Sequence, residues 1–150
     1  MTRKYAETTS VPVDRSQSEV RAILDAQGCT KFGLMDDGPR TAIQAVLTKD
    51  GASVTLRFVL ADPDKTDKEW RFAVPEKIQQ ERRRRWRCLV VMLKAKFAAV
   101  ESGIVTFQDE FLAHLVLPGG RTVGEWAGTE IGPAIAAGKM PSRLLLGSGS

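Results

Sequence analysis

The sequence predicts an α+β domain: a short helix, an antiparallel three- to four-stranded meander, a long central helix across the sheet and two short C-terminal helices. Three observations carry this. Residues 41–60 alternate apolar and polar with period two, as half-buried strands do. Residues 76–102 repeat apolar side chains at helical spacing. Ser16, Thr106 and Thr122 each stand three residues before a carboxylate, the pattern that opens a helix. With 150 residues, 43% hydrophobic and 27% charged, the chain suits one globular domain, here residues 16–138. An extended N-terminal arm (1–15) and a flexible Gly-Ser-ended tail (139–150) flank it.

Tyr5 to Val13 reads as a polar extended segment able to pair at a sheet edge. Ser16-Gln17-Ser18-Glu19 reads as a capping box, followed by Val20, Ile23 and Leu24 on one face and a stop at Gly28. Three strands follow: Lys31–Met35, Thr41–Leu47 and Ser53–Leu60. Asp36-Asp37-Gly38-Pro39 supplies the first turn, and Lys49-Asp50-Gly51 signals a hairpin. Val54, Leu56, Phe58 and Leu60 define a dry face, and Ser53, Thr55, Arg57 and Val59 a wetter one. The charged loop 61–68 leads to a possible fourth strand, Glu69–Val74, and Pro75 suits a helix's first turn.

In the long helix, Trp86, Leu89, Val90, Leu93, Phe97 and Val100 share an arc of about 100°. Met92 and Val91 fall outside it, so burial on more than one side is expected. Gly103 ends this helix. Phe107, Phe111, His114 and Leu115 line the next helix, and Trp126, Ile131 and Ile135 the last, which Gly138 stops.

Charge is concentrated on the long helix. Residues 76–101 hold eight Lys and Arg against three Glu, a balance of 8 − 3 = +5 in a chain of net +4. At its centre lies Glu81-Arg82-Arg83-Arg84-Arg85-Trp86-Arg87. Such focusing points to an anionic partner, most commonly nucleic acid. Consecutive positions fan around a helix, so Arg82 to Arg85 cannot make one flat patch. Arg83, Arg87 and Lys94 align within about 40°, forming a stripe for a phosphate backbone with Arg84 beside it and Arg82 and Arg85 flanking. The competing readings are a solvated helix start paired with nearby carboxylates, or a face for an acidic protein. Trp86 shares the apolar arc, which favours the core over base stacking.

No catalytic or metal constellation is legible. His114 is the only histidine, and it reads as a packed, hydrogen-bonded imidazole. Cys29 and Cys88 are isolated and read as reduced thiols. The carboxylate clusters Asp36-Asp37, Asp62/Asp64/Asp67 and Asp109-Glu110 have turn and loop chemistry, although a metal-dependent nuclease would need such groups to converge. Pro118-Gly119-Gly120-Arg121-Thr122 could expose amides to an anion but reads as a helix connector. No cofactor is implied. With no run of 18 apolar residues and no signal-peptide core, neither a membrane partner nor export is expected, and the placement is cytoplasmic.

Two segments, Tyr5-Ala6-Glu7-Thr8-Thr9-Ser10-Val11-Pro12-Val13 and Val116-Leu117-Pro118-Gly119-Gly120-Arg121-Thr122-Val123-Gly124-Glu125-Trp126, resemble small proteins of unassigned activity encoded in bacterial, prophage and phage genomes. The resemblance implies an accessory protein of a mobile element. The element order is also loosely similar in topology to single-strand annealing proteins. The expected function is therefore non-enzymatic, sequence-tolerant binding of DNA or RNA through Arg82, Arg83, Arg84, Arg85, Arg87 and Lys94. The alternative is a protein-binding module, an oligomeric scaffold or counter-defence inhibitor docking an acidic partner through the same helix. A homo-oligomer is compatible with either.

Overall fold

A computed structural model describes residues 2–141. Its elements run α1 (Val13–Asp25), β1 (Cys29–Asp36), β2 (Arg40–Lys49), β3 (Ala52–Ala61), α2 (Pro75–Glu101), α3 (Phe107–Phe111), a 3-10 turn (Leu112–His114) and α4 (Val123–Ala137). The three strands form an antiparallel sheet in the order β1-β2-β3. Asp50 (φ 51°) and Gly51 (φ 80°) make the two-residue β2–β3 turn, where left-handed backbone at both positions matches the strand twist. Side chains of Asp36 and Asp37 accept from the Gly38 and Arg40 amides, closing the β1–β2 turn. Thr30 is the extra residue of a bulge, since Cys29 pairs with Leu47 but Lys31 with Val46.

The inner sheet face presents Ile43, Ala45, Leu47, Leu56 and Phe58 to Val20 and Leu24 of α1 and to Trp86, Leu89, Val90, Leu93 and Phe97 of α2. Phe111 joins this core and stacks in a tilted cluster with Phe97 and Phe107. The long helix is thus covered by the sheet on one side and α1 on another, while Val91 remains exposed.

Three local expectations are overturned. First, α1 begins at Val13, and the Ser16–Glu19 capping box does not form. Pro12 occupies the N-cap with extended backbone (ψ 152°) and its carbonyl accepts the Ser16 amide. The proline ring sets the entry angle four residues before the expected Ser16 cap, and Ser16 turns into the core. Second, the arm is not an extended edge strand: residues 5–8 form turns, with Ala6 at φ 56°. Third, residues 69–74 do not add a strand. Asp67 accepts the Trp70 and Arg71 amides on its carbonyl and the Glu69 amide on its side chain, winding the segment into turns. Trp70 is buried beneath Lys77, while Phe72 stays exposed.

The Thr106 and Thr122 caps form as expected, accepting the amides of Asp109 and Glu125 at 3.1 Å. The tail beyond Pro141 lies outside the described residues.

Candidate nucleic-acid interface

Pro75 starts α2, and the arginine run lies in its third and fourth turns, directly N-terminal to the buried half of the helix. At 100° per residue, successive arginines point in different directions, and each reaches a different neighbour. Arg82 forms a bidentate pair with Asp62 (2.7 and 2.6 Å) and also donates to the Gly38 carbonyl at 3.3 Å. It ties the β1–β2 turn to the chain leaving β3. Arg84 and Arg85 both bind Glu81, at 2.6 and 3.0 Å, and Arg85 also donates to the Ala61 carbonyl. Glu81 is only 7% exposed. Burial alone would raise its carboxyl, but the hydrogen bonds from Arg84 and Arg85 hold it below the ordinary range.

The aligned stripe behaves differently. Arg87 bonds Glu19 at 3.0 Å and Ser16 Oγ at 3.3 Å, joining α2 to α1. The Arg87 hydrogen bond is the main cause of a lowered Glu19 carboxyl, with Lys94 and Arg15 adding their charges. Arg83 donates to Gln80 Oε1 at 3.0 and 2.8 Å, and Gln80 in turn holds the carbonyls of Glu7 and Thr9. Among the described residues Arg83 has no carboxylate bond, and exposed Lys94 has no direct ion pair. The seam between α1 and α2 therefore gathers Arg15, Arg87 and Lys94 around the Glu19 carboxylate, with Arg83 in line with Arg87 and Lys94 on α2 and Asp14 adjoining at the start of α1.

All six residues singled out from the sequence lie on α2, but only part of the set shares a surface. Arg82, Arg84 and Arg85 hold carboxylates elsewhere; Arg83, Arg87 and Lys94 face the seam. Arg15 was missed, since no local pattern connects it to a helix some 70 residues downstream. The Glu81 pairs are i,i+3 and i,i+4 and were legible in principle; Asp62 and Glu19 meet their arginines only through the fold.

Trp86 lies in the core. His114 packs on Phe58 at 4.4 Å, and burial, helped by the Lys96 charge, lowers its basicity. Cys29 and Cys88 are free thiols, and Cys88 accepts a weak hydrogen bond from Arg84 at 3.5 Å. Asp64 and Asp67 accept the backbone amides of Thr66 and Glu69, as turn residues do. Among the described residues no three His, Cys, Asp or Glu side chains are grouped to hold a metal. The Gly119-Gly120 turn is tied down: Arg57 donates to the Gly120 carbonyl at 2.7 Å and Arg121 to the Glu125 carbonyl at 2.6 Å. Among the described residues, no helix is long and apolar enough to cross a membrane. No protein-family model matches the chain, and no significant match is found to a curated protein or a solved structure.

Proposed function

We propose that this protein is a non-enzymatic, sequence-tolerant nucleic-acid-binding accessory protein of phage or prophage type, gripping the phosphate backbone along the α1–α2 seam. One observation supports the reading: three cations from two helices, Arg15, Arg87 and Lys94, act on the single Glu19 carboxylate, and Arg83, in line with Arg87 and Lys94 on α2, has no carboxylate bond among the described residues. Guanidinium and ammonium groups held by packed helices can meet successive phosphates with little loss of side-chain freedom. Contacts of this kind read charge and spacing, not bases.

Polarisation binding to labelled single-stranded DNA, duplex DNA and RNA tests it. With three or four phosphate contacts, affinity should fall roughly 10²-fold between about 50 and 200 mM salt. No binding at low salt would remove the proposal.

A second reading has its own support. Beside Lys94, the solvent face of α2 presents Val91, Ala95 and Ala98, which suits a protein surface better than a phosphate chain. Failure with every nucleic acid would hand the seam to an acidic protein partner.

A further inference from the structure

A cavity of about 200 Å³ lies between the start of α1, the β1–β2 turn, the end of β3 and the first half of α2. Exposed Gly38, Pro39 and Gln79 form its mouth. Trp86, a core residue only 4% exposed, forms part of its wall. A buried indole normally satisfies its N–H with a hydrogen bond. Among the described residues the Trp86 N–H makes none. Yet no side-chain nitrogen or oxygen among them is both sealed from solvent and without a partner. The N–H is therefore accessible, and the cavity that Trp86 lines is where it points.

Other unused polar groups share the cavity. Half-buried Gln17, on the α1 side, has no side-chain hydrogen bond among the described residues. Asp36, on the sheet side, accepts the Gly38 amide but forms no salt bridge among them.

Charge and size narrow what fits. Two carboxylates, Asp36 and Asp62, face two guanidiniums, and those are already held: Arg82 by Asp62 and Arg85 by Glu81. A buried anion needs an unanswered cation, so an uncharged ligand with both acceptors and donors is the better match. A cavity of about 150 Å³ accepts a benzene ring. By that scale this one holds a six-membered ring with two small substituents and falls short of a bicyclic purine. Pyrimidine bases have this shape. A ring carbonyl can accept from Trp86 and Gln17, and a ring or exocyclic N–H can donate to Asp36.

We propose that the cavity receives one unstacked pyrimidine base from a single strand whose phosphates lie along the α1–α2 seam. This deepens the nucleic-acid reading and rests on it. The two helices serve both places: α1 carries Arg15 at the seam and Gln17 at the cavity, and α2 carries Arg87 and Trp86. Trp86 meets the base with its edge and not its face, so it keeps its place in the core. Unstacking costs least in a single strand, which is therefore preferred over a duplex.

Polarisation binding at about 50 mM salt tests this with equal-length labelled strands carrying thymine, adenine or no bases, since all three offer the same phosphates. The thymine strand should bind roughly 10-fold tighter than the abasic one, as one or two hydrogen bonds to buried groups allow, with adenine close to abasic. Trp86→Phe keeps an aromatic ring and removes the N–H, and it should bring the thymine strand down to the abasic level. Gln17→Leu changes a half-buried position and should lower the thymine preference too, so it decides the matter if Trp86→Phe fails to fold. Equal affinity for thymine and abasic strands would overturn the base site and leave the phosphate grip standing. So would a thymine preference that Gln17→Leu leaves intact, or adenine bound as tightly as thymine. No binding of any strand would remove both.

Discussion

The arginine half of α2 and the projecting half of α4 are opposites. The first has the highest charge density in the chain, yet most of its charge is answered internally: Arg82 by Asp62, Arg84 and Arg85 by Glu81, and Arg87 by Glu19. The second carries a single ionisable group between Trp126 and Ala137, yet among the described residues its apolar side chains Ile131 and Ile135 stay exposed. Composition marks where charge or apolar surface is concentrated. Whether it is available depends on neighbours that only the fold supplies. In α2 the availability shrinks to the seam around Glu19.

The largest effect should come from breaking the internal pairing at its buried centre. Glu81→Ala leaves two guanidiniums against a poorly solvated site and should cost about 3 kcal/mol in urea unfolding. A loss under 1 kcal/mol would mean that Arg84 and Arg85 are solvated charge after all. Acid probes the same contacts. The Glu81 and Glu19 carboxyls are lowered by folding, so their stabilisation is full above the ordinary glutamate range, near pH 4.3, and is lost as pH falls through the lowered values. Unfolding midpoints should therefore drop steeply in acid, and less so in Glu81→Ala.

His114 gives a separate signature at higher pH. Its basicity is lowered by burial, so the unfolded chain binds a proton first on acidification. Stability should decline as pH falls below about 6.5, and His114→Phe should remove that step. Arg82→Ala, at a half-exposed pair, should cost about 1 kcal/mol. Phe72→Ser should be the smallest change, within about 0.5 kcal/mol, since the ring is solvated. A larger loss there would show that residues 69–74 have a packing role.

Much of the fold was legible because its signals are local. Asp50-Gly51 dictates a tight hairpin wherever it joins two alternating strands, and Thr106 and Thr122 need only the next turn to act as caps. The misreadings came from competing local signals of similar strength. Ser16 had capping chemistry, but Pro12 started the helix first. Glu69–Val74 had strand composition, but Asp67 offered its amides nearer acceptors. The site was only partly legible. Helical spacing put Arg83, Arg87 and Lys94 on one stripe, but the meeting of Arg87 and Lys94 with Glu19 and Arg15 requires α1 to pack beside α2.

The most direct test compares answered and unanswered cations in one binding assay. Arg83→Ala/Lys94→Ala should abolish most nucleic-acid affinity and lower the salt slope by about 2, while the domain's unfolding transition is retained. Arg82→Ala, which removes a paired arginine away from the seam, should lower stability and leave affinity and slope nearly unchanged. Equal losses from both variants, or an affinity indifferent to salt, would contradict the assignment of phosphate contacts to the seam.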